Sequence, residues 1–285
     1  MLKKNDIDNF IPQILADSII LGLGDKLDFR NNNLITEFSE ELAPGRVIEI
    51  PIRGRLGKFK TKAEGEAMDT DNFSTDKMEI IPEIKALQSD YTLEAAGGYR
   101  GDLENEIIMD LTDSAVDTIT EDIYQVIKNV EDTDDYDKND EKISYNHILK
   151  VIAKNRIKDR DKYTLIIGFD QLPEIEALKD ENGNNVFKYV NDGESIKNGF
   201  QGYVAGIKVH ATSRILPDDN KIESYLVEDG AVGVAWAESD PLNLDADIDK
   251  SKLTYSVYAH YLMGLGLLPN KTVQRMIFKE DNGND

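Results

Sequence analysis

The sequence predicts an α+β fold organised around one long helix, and three observations carry that prediction. Residues 101–130, GDLENEIIMDLTDSAVDTITEDIYQVIKNV, keep an apolar residue at every fourth position: Leu103, Ile107, Leu111, Ala115, Ile119, Ile123 and Ile127. Ile108, Val116, Val126 and Val130 widen that stripe. From Ser144 onward, short apolar runs of strand length are interleaved with helical patterns. The last third of the chain then reads as strands separated by Gly, Asn and Asp turns.

The helix comes first because the rest is placed relative to it. Asp102 stands at the N-cap, and Glu104 and Glu106 follow in the first turn, where the helix dipole favours negative charge. Over residues 102–130 it is roughly 40 Å long at 1.5 Å per residue. A spacing of four overshoots the 3.6-residue turn, so the apolar stripe drifts round the axis and meets different neighbours along its length. Its polar face carries Glu106, Asp110, Asp113, Asp117 and Glu121 at spacings of three and four, with no Lys or Arg before Lys128. Like charges at i,i+4 cost a few tenths of a kcal/mol per pair. Either this is a solvated acidic face, or something basic from elsewhere lies over it.

Before the helix, Ile11, Ile14, Leu15, Ile19, Leu23 and Leu27 keep a helical period, which resumes briefly from Leu34 to Leu42 after the break at Asn31-Asn32-Asn33. Pro44-Gly45 marks a turn, and Val47 to Ile52 a short strand. Arg53, Arg55, Lys58, Lys60 and Lys62 follow with no acid among them, interleaved with Gly54, Leu56, Gly57 and Phe59. The return limb inverts the sign, carrying Glu64, Glu66, Asp69, Asp71, Asp76 and Glu79 against Lys77 alone, and Met78 to Ile84 closes it as a strand. Residues 46–84 therefore form an extended two-stranded loop with no core of its own, basic on one limb and acidic on the other. Long projecting loops of this kind are functional or disordered. The basic limb is a solvated strand, a phosphate-binding segment or a contact for a partner subunit. Ser89 to Ala96 has the composition of a short helix.

After the helix, residues 131–141 make an acidic surface loop. It does not match a calcium-binding loop: Asp140 stands where the glycine belongs and Asn146 where the bidentate glutamate belongs. Ile148 to Ile157 predicts a helix, Tyr163 to Gly168 a buried strand, and Asp170 the cap of a helix through Leu178. Residues 180–185 form a turn. Further strands cover Tyr203 to Ala211, Glu223 to Glu228, Gly230 to Ala237, residues 253–263 and Thr272 to Lys279.

Composition limits the function. Of 285 residues 33 are basic and 55 acidic, a net charge of −22, which argues against a dedicated nucleic-acid binder and against anionic membrane surfaces. Hydrophobic content of 40% and charged content of 31% are those of a globular chain. No segment approaches the length of apolar residues that spans a bilayer, and the N-terminal stretch lacks the form of a secretory leader. There is no cysteine, hence no disulfide, thiolate nucleophile or Cys-based metal site. His147, His210 and His260 lie in three different elements without metal-ligand spacing. No G-x-S-x-G elbow or phosphate-binding glycine loop occurs, and Gly22-Leu-Gly24 and Gly264-Leu-Gly266 are not completed to one. No catalytic, cofactor-binding or metal-binding residue is assigned, and no cofactor is expected.

The order of these elements, with local motifs, resembles a known family. Pro44-Gly45-Arg46-Val47-Ile48-Glu49-Ile50-Pro51 resembles the start of an extended loop, and Gly101-Asp102 the start of a spine helix carrying Asp117 and Asp122. Tyr163 to Asp170 followed by Leu172 to Leu178 resembles the strand and helix of an axial domain. Gly202 to Ser213 resembles its G-x-x-x-G-x-x-V strand, and Glu228 to Ala235 the segment ahead of the final strands. Over about residues 10–280 the chain resembles the major capsid proteins of tailed bacteriophages, which share the Johnson fold with herpesvirus capsids and encapsulins; its look is nearest to N4-like podoviruses. The resemblance implies an N-terminal arm (1–44), an E-loop (45–84), a peripheral domain with the spine helix (85–145), an axial domain (146–250) and C-terminal strands returning to the core (251–285). It implies a structural protein, not an enzyme, that self-assembles as hexamers and pentamers of an icosahedral shell enclosing double-stranded DNA without sequence-specific binding. Virion localisation is implied, with assembly in the host cytoplasm. With only about 45 residues ahead of the E-loop, a separate scaffolding protein is implied, together with a portal. An encapsulin-like compartment of the same fold is the alternative; an unrelated enzyme and a tail or neck protein are further rivals. On this basis Arg53, Arg55, Lys58, Lys60 and Lys62 of one subunit are expected to lie over Glu106, Asp110, Asp113, Asp117 and Glu121 of its neighbour.

Overall fold

The computed structural model describes residues 33–40, 47–53, 75–92, 94, 98, 103–130, 135–138, 141–189, 200–237, 243–249 and 252–279. The N-terminal helical pattern, the loop tip at 54–74 and the cap at Asp102 lie outside the described residues.

Helix α1 (Leu103–Lys128) occupies the stretch marked by the apolar period of four. Ile108, Leu111, Ala115, Val116, Ile119, Ile123 and Ile127 are buried in a single core shared with two sheets. Two threonines on that face, Thr112 and Thr120, are also buried; each donates its hydroxyl to the carbonyl four residues back, at 2.7 and 2.8 Å, so neither leaves a polar atom unsatisfied.

The first sheet is centred on β13 (Thr254–Leu267). One edge of β13 pairs antiparallel with β4 (Glu83–Thr92). The other pairs with β12 (Asn243–Asp249) and, further along, with β11 (Val232–Ala237), on which β1 (Ile35–Glu40) lies in parallel. Burial alternates along the middle of β13: Val257, Ala259, Tyr261 and Met263 are buried on the side facing α1, while Tyr258, His260 and Leu262 are half-buried on the other.

The second sheet has seven strands in the order β5-β14-β10-β6-β9-β8-β7. Its centre, β10 (Lys221–Glu228), β6 (Tyr163–Gly168) and β9 (Ile207–Thr212), consists of nearly continuous buried runs, as strands covered on both faces require. β14 (Val273–Lys279) and β5 (Tyr136–Lys138) extend it on one side, and β8 (Phe200–Val204) and β7 (Phe187–Tyr189) on the other. The short helices are α2 (Tyr145–Lys154), capped by Ser144 accepting from the His147 N–H, and α3 (Leu172–Glu176). The Tyr124 ring of α1 meets Tyr225 of β10 edge-on at 6.0 Å, tying the helix to this sheet.

Five local expectations are corrected. Within the resumed helical pattern at Leu34–Leu42, Ile35–Glu40 is strand β1, because its backbone finds a parallel partner in β11. Ser89 to Thr92 belongs to β4, not to a short helix, since pairing with β13 overrides a weak local propensity. The acidic loop at 131–141 contains strand β5, added in parallel to β14. Tyr203 to Ala211 is not one strand but the hairpin β8–β9, which turns at Ala205 and Gly206, both with positive φ (52° and 83°). Asp170 lies within a 3-10 turn over Phe169–Gln171 and caps nothing: the residue before α3 is Gln171, with no side-chain cap bond.

Residues 46–84 do form an antiparallel pair at their base, β2 (Ile48–Arg53) and β3 (Thr75–Ile80). That base has more core than its composition suggests, for Ile48, Met78 and Ile80 are buried against Ala235, with Phe38 and Leu268 alongside. The uncompleted glycine motif explains how. A Cβ on Gly264 would come within 2.4 Å of Ile80 Cγ2, and one on Gly266 within 2.2 Å of Met78 Cε. The two glycines bare the backbone of β13 so that β3 crosses over it.

Candidate functional site

The acidic face of α1 is present as expected: Glu106, Asp110, Asp113 and Asp117 are exposed and Glu121 half-buried. Its C-terminal half is nevertheless covered by a base from the same chain. Arg214, just beyond β9, donates to the Asp117 carboxylate in a short contact, to the Asp117 carbonyl oxygen at 3.3 Å, and lies 3.2 Å from a Glu121 oxygen. The Arg214 loop is held in place from two sides. Ile215 is buried in the core, and Gly168 leaves room for it, since a Cβ there would sit 2.7 Å from the Ile215 carbonyl. Sequence reasoning missed Arg214 because a lone arginine after a strand carries no signal of a partner about a hundred residues earlier.

On the next flank of the helix Asp122 pairs with Lys85 of β4 at 2.6 Å. The basic limb is only partly placed. Arg53 ends β2, and Arg55, Lys58, Lys60 and Lys62 lie outside the described residues.

The remaining polar clusters are structural. Arg275 of β14 holds Asp135 through two bonds, Nε to Oδ1 at 3.1 Å and Nη2 to Oδ2 at 2.5 Å, and its other side lies 3.7 Å from Glu223. Tyr225, fully buried, donates to Glu223 in a short bond. Burial pushes the Tyr124 hydroxyl up to about 12. His147 stacks on Phe278 and bonds Glu141 at 3.0 Å. Glu141 is held below the usual carboxylate range, chiefly by its bond to Lys138. His210 is buried in β9, and burial lowers its pKa to about 4, so it is neutral at pH 7. Asp180 closes the turn at 180–184 by accepting from the Asn182 and Asn184 amides, which lowers its pKa with the Asn184 side chain as the main cause. Among the described residues no group of three or more His, Asp or Glu could hold a metal ion, and no helix is long and apolar enough to cross a membrane.

What distinguishes the surface, then, is the flank of α1, the exposed edge of β4 and the two-stranded arm crossing β13. No family model matches the sequence, and no curated protein matches it. Solved structures do match in fold. The head structure of Helicobacter pylori bacteriophage KHP40 superposes with a TM-score of 0.67 at 11% identity, covering 90% of this chain and 91% of that one. The capsid of Ralstonia phage GP4 gives 0.67 at 10% identity and 90% of each chain. The capsid of a native GTA particle gives 0.66 at 10% identity, with 89% and 90% covered. The chain has the mixed helix-and-sheet fold of these phage head and capsid proteins.

Proposed function

We propose that this chain is the major capsid protein of a tailed bacteriophage, assembling as hexamers and pentamers into an icosahedral shell around double-stranded DNA. One observation carries the reading: agreement in fold with phage head and capsid proteins runs over about nine tenths of the chain, with no large domain left over on either side. In this reading residues 1–44 are the arm, 45–84 the E-loop, 85–145 the peripheral domain, 146–250 the axial domain and 251–285 the returning strands. A scaffolding protein and a portal are its partners, and the virion is its place.

The physics suits a shell. Contacts that close into rings and a sphere are heterologous, each joining two different patches of neighbouring copies. Copies carrying −22 repel one another, so a contact between them needs a local positive patch. The limb with Arg53, Arg55, Lys58, Lys60 and Lys62 is that patch, and the acidic face of a neighbour's α1 is its counterpart. Each exposed pair contributes about 0–1 kcal/mol, but repetition round the shell specifies register. An acidic wall also leaves packaged DNA unbound and free to move.

Negative-stain electron microscopy of the purified chain, with sedimentation to size it, tests the reading. Closed shells of uniform diameter support it. Uniform tubes or a small closed oligomer with a deep pocket overturn it. Shells holding nuclease-protected DNA, not a protein cargo, separate a capsid from an encapsulin-like compartment. Reversing Arg53 and Arg55 to Glu is expected to block assembly while leaving the monomer's circular dichroism unchanged; normal shells from that variant would sink the limb-to-stripe pairing.

A further inference from the structure

The seven-stranded sheet lies between two helices of opposite charge. On one face Tyr225 of β10 meets Tyr124 of α1. On the other, Phe278 of β14 stacks on His147 of α2, and Asn155 beyond α2 donates to the Gln274 side chain at 3.3 Å. In the register of β10 and β14, Tyr225 stands opposite Arg275, Leu226 opposite Gln274 and Ile222 opposite Phe278, so Gln274 and Phe278 lie on the side away from α1. The two helices therefore cover opposite faces, α1 with its row of carboxylates and α2 with bases.

Residues 142–158 hold no acid, and Lys150, Lys154, Arg156 and Lys158 are all exposed. Two features set this run apart on a chain of net charge −22. The helix dipole accounts for a base in the last turn, Lys154, but not for Lys150 one turn earlier, whose like charge opposes it at i,i+4. The second feature is Arg156, which has φ 52°, a left-handed conformation that glycine adopts freely and arginine does not. Arg156 follows the C-cap Asn155, where the helix is closed by the Ile157 N–H donating to the Ile152 carbonyl and the Arg156 N–H to the Ala153 carbonyl, both at 3.1 Å. Glycine is the residue this ending favours. An arginine there strains the backbone and places a cation at the corner of the surface.

We infer that these bases form a docking surface for an acidic segment of another protein. The inference rests on the shell reading and gives a chemistry to the scaffolding partner proposed there. Charge selects a polypeptide over DNA. Duplex DNA carries a phosphate charge about every 1.7 Å along its axis, so a duplex laid on these bases runs on over the acid-rich remainder of the chain. A short segment with a few carboxylates ends inside the basic area, and charges farther off than the screening distance of about 8 Å scarcely act on it. Asp159 and Asp161, both exposed, mark where that area stops.

The probe is a fluorescein-labelled hexaglutamate peptide, titrated into the full chain at low salt with anisotropy as the readout. Saturable binding is expected. It weakens at least ten-fold in a Lys150→Glu, Lys154→Glu chain and less than two-fold in a Lys188→Glu, Lys252→Glu chain, which has the same net charge but is altered at lysines exposed elsewhere. Arg156→Gly is expected to raise the melting temperature and yet weaken binding at least three-fold, a combination that a purely structural arginine does not give. A labelled DNA duplex of random sequence is expected to bind more weakly than the peptide. No saturable binding, equal loss in the two charge-reversed chains, a lower melting temperature or unchanged binding with Arg156→Gly, or tighter binding of the duplex overturns the inference. Peptide binding is scored whether or not the chain assembles, so its failure removes this surface alone, and sedimentation decides the shell reading separately.

Discussion

The two sheets solve the same problem in opposite ways. In the seven-stranded sheet β6, β9 and β10 are buried almost without interruption, with Leu165, Ile166, Ile167, Val209, Tyr225 and Val227 sealed inside. In the five-stranded sheet β11 is sealed, with Ala235 against the two-stranded arm, while β4 shows most of its residues to solvent and β12 holds Asp245, Ala246 and Asp247 outside. Among the described residues, the seven-stranded sheet is covered on both faces at its centre, and the five-stranded sheet keeps the outer edge of β4 open.

The sharpest way to break this contrast is to truncate one residue in each sheet. Ile166→Ala, fully buried in β6, is expected to cost about 3–4 kcal/mol in urea denaturation. Leu87→Ala on β4 is expected to cost less than about 0.5 kcal/mol to the monomer. Equal losses would mean that the five-stranded sheet is as self-sufficient as the seven-stranded one.

Next in size is the acid response of the seven-stranded sheet. His210 has its pKa lowered from 6.5 to about 4 by burial. Above pH 6.5 both folded and unfolded chains hold it neutral, and its contribution is fully present. As pH falls, the unfolded chain takes up the proton first, so stability declines toward pH 4 by about 3 kcal/mol in all. Unfolding curves at about pH 7 and pH 5 check this, and a His210→Asn chain is expected to lose most of the difference.

Smaller again is the crossing of the two-stranded arm. Gly264→Ala puts a methyl group against Ile80, and the overpacking is expected to cost about 1–3 kcal/mol. Hydrogen exchange should quicken in β3 before it does in β6. If β3 stays as protected as in the parent, the arm is held by something other than that close approach. The smallest effect belongs to Arg214. Its carboxylate partner Asp117 is 70% exposed, so Arg214→Ala is expected to cost under about 1 kcal/mol and to matter less at high salt. A loss several times larger would make that contact a principal tie between helix and sheet.

The long helix was legible because its signal is local and repeated: seven apolar residues at a spacing of four need no knowledge of what they touch. The buried strands β6 and β10 were legible for the same reason, as was the base of the two-stranded arm, flagged by Pro44-Gly45 and a run of β-branched residues. What the residues alone misread were segments whose state depends on a partner far along the chain. Residues 35–40 become a strand because β11 lies beside them, residues 89–92 because β13 does, and residues 136–138 because β14 does. The acidic stripe was visible, but not the arginine that covers half of it.

By itself the sequence determined the kind of elements, their order and a charge distribution with one basic limb on an acidic chain, because these follow from periodicity and composition. Only the tertiary structure decided which carboxylates are already engaged and why Gly264 and Gly266 lack side chains. Those depend on contacts between residues tens to nearly two hundred positions apart, and no local pattern encodes a distance that only folding creates.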